Sequence, residues 1–258
     1  MSDGDALLVK GMHISFGGVR AVNDCSFNVP NSMAVGLIGP NGAGKSTVID
    51  LISGFKTPSS GSAVFHGREL VGMQPHAISK LGLVRSFQSP REWGSLTVMD
   101  NVLLGLKAFS RESLAGGLFA GGRDRKREDA DRAHVRELLD SFTLTPLKDD
   151  PAASLSGGQK RLVEFARIAA AAPKLVILDE PMGGVNPVLG NRIGQAVRAL
   201  VDRGSSVLIV EHNLKFIEDF CELVIVMDQG AVIAQGPYDS LRNNPLVVTA
   251  YLGEAESA

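Results

Sequence analysis

Apolar residues along this chain fall into two patterns: short uninterrupted runs and longer segments of helical period. Residues 34–38, 175–178 and 207–210 form three runs rich in Val, Ile and Leu. A strand covered on both faces has this composition, and its alternation with helices is typical of a mainly parallel sheet. The residues that follow each run emerge at the carboxyl edge of such a sheet, so we expect the chemistry of the chain there.

The first thirty residues and the middle of the chain depart from that alternation. In the first thirty, polar and glycine positions separate the apolar residues Leu8, Phe16, Val22, Phe27 and Val29, which predicts antiparallel strands with one exposed face. Helical period replaces strand patterns over 98–154, where Thr97 is placed to cap a helix over 98–109 and a second helix is predicted over 123–142. We therefore expect an α/β fold with an N-terminal antiparallel β-subdomain and an inserted helical subdomain.

Two features lie around the second of these helices. The glycine-rich segment 110–122 is expected to be a mobile loop. The basic residues of 123–127 are followed at once by acidic ones, which indicates a solvated helix face rather than an anion site.

A glycine-rich motif directly follows the first apolar run. It fits the pattern G-x-x-x-x-G-K-[ST], and a segment of helical period comes after it. Glycines let backbone amides curl around phosphate oxygens, while the following helix directs its positive end at the same anion. We predict that Lys45 reaches the β- and γ-phosphates of a nucleotide and that the Ser46 hydroxyl holds magnesium. The predicted phosphate-binding residues are Gly39, Pro40, Asn41, Gly42, Ala43, Gly44, Lys45, Ser46 and Thr47.

Two acids follow the second apolar run. Asp179 is placed to bind magnesium directly or through water, and Glu180 is placed to polarise an attacking water. Such a pair at a strand end can also be an ordinary helix cap, since Pro181 comes next.

The motif LSGGQ, residues 155–159, limits the possible nucleotide-binding proteins to one family. With GPNGAGKST upstream and LVILDE downstream, the chain resembles the ATP-binding cassette (ABC) family of ATPases from residue 7 to residue 253. The resemblance implies a single domain over residues 1–258. Within it, a P-loop nucleotide-binding core would take residues 1–95 and 155–258, and a helical subdomain about 96–154. It also implies ATP and Mg²⁺ as cofactors.

The same resemblance assigns roles that spacing alone does not. Gln88 is implied to touch magnesium and the attacking water, and His212 to contact the γ-phosphate, although a lone His is more often structural. Phe16 is implied to stack on adenine, with a buried strand residue as the alternative. The signature loop is implied to close on the γ-phosphate of a partner subunit in a head-to-tail dimer, so a lone chain should hydrolyse ATP poorly. That loop contains Ser156, Gly157, Gly158 and Gln159.

Within the family, the chain looks most like ATPase subunits of bacterial importers for branched-chain amino acids, through segments 16–27, 51–61, 84–88, 96–105 and 243–254. The solute could equally be urea, an amide or an aromatic acid. This branch implies integral membrane permease subunits, a second ABC ATPase subunit that is identical or similar, and, indirectly, a periplasmic or extracellular solute-binding protein. The chain would then lie at the cytoplasmic face of the cell membrane. Arg91 and Trp93 fall where family members meet the membrane subunit, unless Trp93 simply packs.

Two other functions remain open at this point. One is a lipid or lipopolysaccharide export ATPase, and the other is a soluble cassette ATPase such as one for iron-sulfur cluster assembly. The sequence also departs from the wider family at Asn186, where Asp is common. The lost charge leaves a hydrogen-bonding side chain and both catalytic acids in place.

Composition excludes some partners. A net charge of -2 with a pI near 6.2 gives no broad positive field for nucleic acid, so none is expected. The first residues lack the basic and apolar regions of a signal peptide, and no apolar run approaches the roughly 20 residues that span a bilayer. Cys25 and Cys221 lie in apolar surroundings, which indicates reduced core residues rather than a disulfide or a metal site.

Overall fold

A computed structural model of the protein describes residues 4–86, 93–108 and 123–255. The chain forms two compact units. The first comprises Met1–Gln88, Lys174–Gly184 and Leu200–Ala258, and the second comprises Ser89–Pro173 and Val185–Ala199. None of the helices within the described ranges combines the length and apolar character needed to cross a membrane.

A six-stranded sheet forms the centre of the first unit, in the order β10-β9-β3-β8-β7-β6. Its strands pair in parallel except β10, which is antiparallel to β9. Every residue of β3, β7 and β8 is buried, as expected for a parallel sheet covered on both faces. The strands are β3 (Ala34–Ile38), β6 (Leu83–Arg85), β7 (Leu175–Asp179), β8 (Ser206–Val210), β9 (Leu223–Asp228) and β10 (Ala231–Gly236).

A four-stranded antiparallel sheet lies in the same unit, in the order β2-β1-β4-β5. Alternate residues of β1 and β2 are buried, and one apolar core joins this sheet to the central sheet and to the helix after β3. The first unit also contains four short helices and the C-terminal helix. These elements are β1 (Asp5–Phe16), β2 (Val19–Pro30), β4 (Ser60–Phe65), β5 (Arg68–Glu69), α1 (Lys45–Ile52), α2 (Pro75–Lys80), α7 (Leu214–Phe220), α8 (Tyr238–Leu241) and α9 (Pro245–Ala255).

The second unit is helical. α3 packs against α5 and α4. Its close contact with α5 requires glycine at position 105, because a Cβ there would lie 2.3 Å from the carbonyl oxygen of Arg167. The unit also takes in α5 and most of α6, so it is larger than the helical segment 96–154 expected from the sequence. Its elements are α3 (Val98–Ala108), α4 (Arg123–Ser141), α5 (Gly157–Ala170), α6 (Pro187–Asp202) and two 3₁₀ turns, Thr145–Leu147 and Ala152–Ser154.

The sequence predicted most of these elements. The α/β class is confirmed, with a mainly parallel sheet, an antiparallel β-subdomain and a helical subdomain. The three apolar runs are strands, two of them longer by one residue than predicted. Thr97 caps α3, since its Oγ1 accepts the Asp100 N–H at 3.1 Å and donates to Asp100 Oδ2 at 2.8 Å. The glycine-rich loop predicted over 110–122 lies outside the described residues.

Both cysteines are buried and carry free thiols, as the sequence indicated. Burial, and secondarily the charge of Asp24, raises the pKa of Cys25 to about 12. Burial, with the nearby Glu222 and Glu211 carboxylates, also raises the pKa of Cys221. The thiolate is the reactive form, so both residues are inert at neutral pH.

We expect neither cysteine to react with iodoacetamide in the native protein near neutral pH, because both thiols are protonated and shielded. Mass spectrometry should show no alkylated cysteine under native conditions and two after denaturation in urea. Rapid native labelling of either one would contradict the buried placement.

A buried amide holds the segment that precedes α3. Asn101 is fully buried, and its Oδ1 accepts the Trp93 N–H at 2.9 Å. Its Nδ2 donates to the carbonyl oxygens of Trp93, Leu96 and Thr97 at 2.9 to 3.3 Å. One buried side chain therefore makes four hydrogen bonds to the backbone of residues 93–97.

Replacing this amide should destabilise the protein strongly. Asn101→Ala should lower the free energy of unfolding by about 3 kcal/mol, because the Trp93 N–H loses its acceptor and the hydrogen bonds from the buried amide to the 93–97 backbone are lost. Asn101→Asp keeps the size and the acceptor for Trp93 but turns an oxygen toward three carbonyls, so it should be at least as damaging. Urea denaturation measures both variants, and a loss below about 1 kcal/mol in each would contradict this role.

Candidate nucleotide-binding site

The phosphate loop, residues 39–44, joins the buried strand β3 to α1. Gly39, Gly42 and Gly44 have φ values of 148°, 79° and 96°, a region that side chains rarely adopt. A Cβ would lie 2.1 Å from the Met227 carbonyl oxygen at Gly39 and 2.4 Å from the Ala21 carbonyl oxygen at Gly44. Glycine is therefore needed at both positions for the loop to approach its neighbouring strands.

Lys45, the first residue of α1, is buried beneath this loop. Its Nζ donates to the carbonyl oxygens of Gly39 at 2.6 Å and Pro40 at 2.8 Å. The ammonium group thus lies inside the ring of backbone groups that would surround a phosphate. Ser46, the next residue, is exposed beside it.

An open cleft lies over the loop. It is lined by Glu180 and His212 together with the loop and its flanks, namely Ala21, Asn41, Gly42, Ala43, Gly44, Lys45, Ser46 and Thr47. Seven of the phosphate-binding residues predicted from the sequence therefore face one space together with Glu180, predicted to polarise the attacking water, and His212, implied to contact the γ-phosphate. That arrangement can bind an anion and present a carboxylate and an imidazole to it.

Glu180 and His212 meet because their strands are parallel neighbours. Asp179 at the end of β7 pairs with Val210 at the end of β8, and the Glu180 N–H donates to the Val210 carbonyl at 2.9 Å. The Glu180 Oε1 lies 3.1 Å from the His212 Nε2, with both side chains partly exposed. Glu180, predicted to polarise the attacking water, and His212, implied to contact the γ-phosphate, thus form a hydrogen-bonded pair.

Glu211 has a role that the sequence analysis missed. This residue is buried, and its Oε1 accepts the Met182 N–H at 2.6 Å. Its Oε2 accepts the N–H groups of His212 at 2.9 Å and Asn213 at 3.3 Å. One carboxylate therefore ties the loop after Glu180 to the loop that carries His212. Its only signal in the sequence is an acid directly after a fully apolar strand.

Asp179 is held by a partly buried arginine, Arg85. The Arg85 Nη2 donates to Asp179 Oδ2 at 2.9 Å, and its Nη1 donates to Asp50 Oδ1 at 2.7 Å. Asp50, on α1, also pairs with Lys56. Burial alone would raise the pKa of Asp50, but hydrogen bonds and charge from Lys56 and Arg85 outweigh it, so the pKa lies below its usual value.

The oxygen donors at this edge suit a magnesium ion. A hydroxyl on Ser46 and a carboxylate on Asp179 are ligands that Mg²⁺ prefers. Within the described ranges, no group of three or more His, Cys, Asp or Glu could hold a metal by itself. Because Mg²⁺ is commonly bound through one or two protein oxygens and substrate phosphates, these donors fit a metal that arrives with the nucleotide.

Two other predicted site residues have different outcomes. Phe16 ends β1 with 46% of its surface exposed, so the alternative of a buried strand residue is wrong, and the Lys56 Nζ lies 5.8 Å from its ring centroid. An exposed ring at this end of the sheet can stack on a base. Gln88 and Arg91 lie outside the described residues.

The signature loop begins α5, in the second unit. Ser156 caps this helix: its Oγ accepts the Gln159 N–H at 3.3 Å, while Gln159 Oε1 accepts the Ser156 N–H at 2.8 Å. Gly157 is exposed with open space around it, and a Cβ on Gly158 would lie 2.4 Å from Leu189 Cδ2. The loop is therefore a capping box whose small residues leave the first turn of α5 uncovered.

Asn186 likewise caps a helix. Its Oδ1 accepts the Leu189 N–H at 2.9 Å, and its carbonyl accepts the Gly190 N–H at 2.9 Å. Asp at this position could accept the same bond, so the departure from the family keeps the start of α6 intact.

Comparisons with known proteins agree with this geometry. A family model described as ABC transporter matches residues 22–183. The chain belongs to the ABC transporter family. A second model, described as branched-chain amino acid ATP-binding cassette transporter, matches residues 231–257 of this cassette. The predicted resemblance is thereby confirmed.

Relatives and solved structures match nearly the whole cassette. The probable branched-chain amino acid transport ATP-binding protein LivG of Archaeoglobus fulgidus is 37% identical, over 94% of this chain and 93% of its own. The high-affinity branched-chain amino acid transport ATP-binding protein BraF of Pseudomonas aeruginosa is 34% identical, over 96% and 98%. A nucleotide-free ATP-binding cassette from an ABC transporter superposes with a TM-score of 0.79 at 32% identity, over 96% and 98%. The ADP conformation of another gives 0.80 at 31%, over 96% and 99%.

Two glycines of the phosphate loop allow a matched test. Gly42 and Gly44 both have positive φ, but a Cβ meets nothing within 4 Å at Gly42. Gly42→Ala should therefore lower the free energy of unfolding only by the backbone strain, about 1 kcal/mol. Gly44→Ala should lower it by about 3 kcal/mol or more, because the Ala21 carbonyl must also move. Urea unfolding measures both losses, and equal losses would contradict the close approach at Gly44.

Proposed function

We propose that this chain is the ATP-hydrolysing motor subunit of an ABC importer for branched-chain amino acids or related small solutes such as urea, amides and aromatic acids. The observation that carries the proposal is the match to branched-chain amino acid transport ATP-binding proteins over more than nine-tenths of both chains. The family model at the carboxyl end points to the same branch.

The residues of the cleft have complementary parts in ATP hydrolysis. The loop amides and Lys45 bind the phosphates, and the exposed ring of Phe16 stacks on adenine. Ser46, Asp179 and Gln88 hold Mg²⁺, which when bound offsets the negative charge of the β- and γ-phosphates. Glu180 then accepts a proton from the attacking water.

His212 keeps Glu180 in place for that step. With its proton on Nε2, the imidazole donates to the Glu180 Oε1 at 3.1 Å, so the carboxylate stays an acceptor with its other oxygen open to water. His212 also lines the cleft beside the phosphate loop, where it can contact a γ-phosphate. Glu211 fixes the backbone on both sides of the pair.

Hydrolysis requires a second cassette, identical or similar to this one. Ser156, Gly157, Gly158 and Gln159 lie at the start of α5, and the first two are exposed. In a head-to-tail dimer they close on the γ-phosphate bound by the partner, where the helix adds backbone donors and a positive dipole end. A lone chain accordingly binds ATP and turns it over poorly.

Two integral permease subunits are the further partners, with a periplasmic or extracellular solute-binding protein acting through them. Trp93 is 53% exposed, whereas the alternative, that this ring simply packs inside the protein, would leave it buried. Asn101 holds its backbone, and the Arg167 guanidinium lies 5.2 Å from its ring centroid. A fixed aromatic beside a cation suits a docking surface. We place the cassette at the cytoplasmic face of the cell membrane, attached through these subunits.

The test is a pull-down of tagged protein carrying Glu180→Gln from detergent-solubilised native membranes with ATP. Without its base the variant should hydrolyse ATP at least about 100-fold more slowly, so the closed complex persists. It should recover two membrane subunits and a second cassette ATPase. The control is Glu137→Gln, an exposed carboxylate on α4, which should hydrolyse at the normal rate. Recovery of soluble partners alone would favour a soluble cassette ATPase such as one for iron-sulfur cluster assembly. Recovery of a lipid-exporting permease would favour a lipid or lipopolysaccharide export ATPase.

A further inference from the structure

Arg85 forms a two-armed ion pair that the proposed mechanism does not use. This residue ends β6, directly beside β7, and its side chain is 15% exposed. One arm reaches Asp179 at 2.9 Å and the other reaches Asp50 at 2.7 Å. A guanidinium can hold two carboxylates at once in a fixed geometry because its nitrogens lie in one plane.

The charges around the two carboxylates are unequal. Asp50 pairs with both Arg85 and Lys56, whereas among the described residues Asp179 forms an ion pair with Arg85 alone. The Arg85 Nε is buried and has no hydrogen-bond partner in the described part of the chain, and the Phe55 ring centroid lies 5.7 Å from Cζ. Arg85 is thus held mainly by the two acids, and Asp179 depends on it for charge compensation.

We propose that Arg85 is a positioning residue that competes with magnesium for Asp179, and so sets how strongly the metal strengthens nucleotide binding. The inference rests on the proposed magnesium site. The guanidinium occupies one oxygen of the carboxylate that would face the metal, and two cations at one carboxylate repel each other. Arg85 therefore orients Asp179 while weakening its attraction for Mg²⁺.

Asp50 makes that competition gradual. When its contact with Asp179 loosens, Arg85 keeps the partly buried Asp50 carboxylate as an ion-pair partner, so magnesium binding does not leave the guanidinium unpaired. Asp50 lies on α1, the helix that starts at Lys45. The ion pairs therefore connect the metal-binding acid to the helix that carries the phosphate loop.

The experiment compares ADP binding with and without the metal. The dissociation constant of ADP is measured by calorimetry in excess EDTA and in excess magnesium, and the ratio of the two is the coupling between metal and nucleotide. ADP avoids both hydrolysis and closure of the dimer. The affinity of free ADP for magnesium in solution is the same for every variant, so it cancels.

Arg85→Gln should raise that ratio by about 10-fold over the wild type, because the metal no longer competes with a cation. Lys56→Gln is the matched control: it also removes a cation from Asp50 but has no contact with Asp179, so its ratio should stay within about twofold of the wild type. Arg85→Met, which keeps the bulk of the side chain, should behave like Arg85→Gln and carries the test if that variant does not fold.

An unchanged or smaller ratio in the Arg85 variants would overturn the proposal and leave Arg85 a purely structural residue. An equal rise in Lys56→Gln would also overturn it, because the effect would then be general charge loss. Asp179→Asn separates this outcome from a failure of the proposed magnesium site. If that variant keeps the wild-type ratio, the metal does not use Asp179 and both proposals fail. If its ratio falls while Arg85→Gln is unchanged, only the inference about Arg85 fails.

Discussion

The parallel pairing of β3, β8 and β7 is the constraint on which the site depends. Each of these strands is buried along its whole length, so the groups available for chemistry lie at and just beyond the strand ends. Parallel neighbours end at the same edge of the sheet, and their following residues must turn out of it together. The phosphate loop, the Asp179 and Glu180 pair, and the Glu211 and His212 pair therefore converge although they are far apart in sequence.

Convergence alone would crowd like charges, and the structure separates them by giving each acid a different partner. Glu211 accepts three backbone N–H groups, Asp179 pairs with Arg85, and Glu180 pairs with His212. The buried Lys45 ammonium donates to carbonyl oxygens of its own loop. The edge thus keeps as distinct groups the carboxylate proposed to act on water, the carboxylate proposed to bind a metal and the cation proposed to bind phosphate.

Sequence reasoning predicted the parts of this site that leave a local pattern. The strands were predictable because a strand covered on both faces is mainly apolar, and the phosphate loop because close backbone approach demands glycine at Gly39 and Gly44. The roles of Arg85 and Glu211 could not be predicted, because their partners lie on other strands or loops. Arg85 and Asp179, for example, are 94 residues apart, and no periodicity in the sequence indicates such a contact. The sequence did not decide whether Phe16 is buried or exposed, because a residue at a strand end can face either the core or solvent and only the packing determines which.

The backbone at Glu180 shows how the same contacts hold a strained catalytic group. Its φ of 49° is left-handed, which costs a non-glycine residue roughly 1–3 kcal/mol. Glycine would remove the strain but also the carboxylate. Three bonds around it oppose relaxation: its N–H donates to Val210, its carbonyl accepts the Gly183 N–H at 3.1 Å, and the Met182 N–H is fixed by Glu211. The buried Glu211 thus fixes the backbone around Glu180, as Arg85 fixes the carboxylate of Asp179.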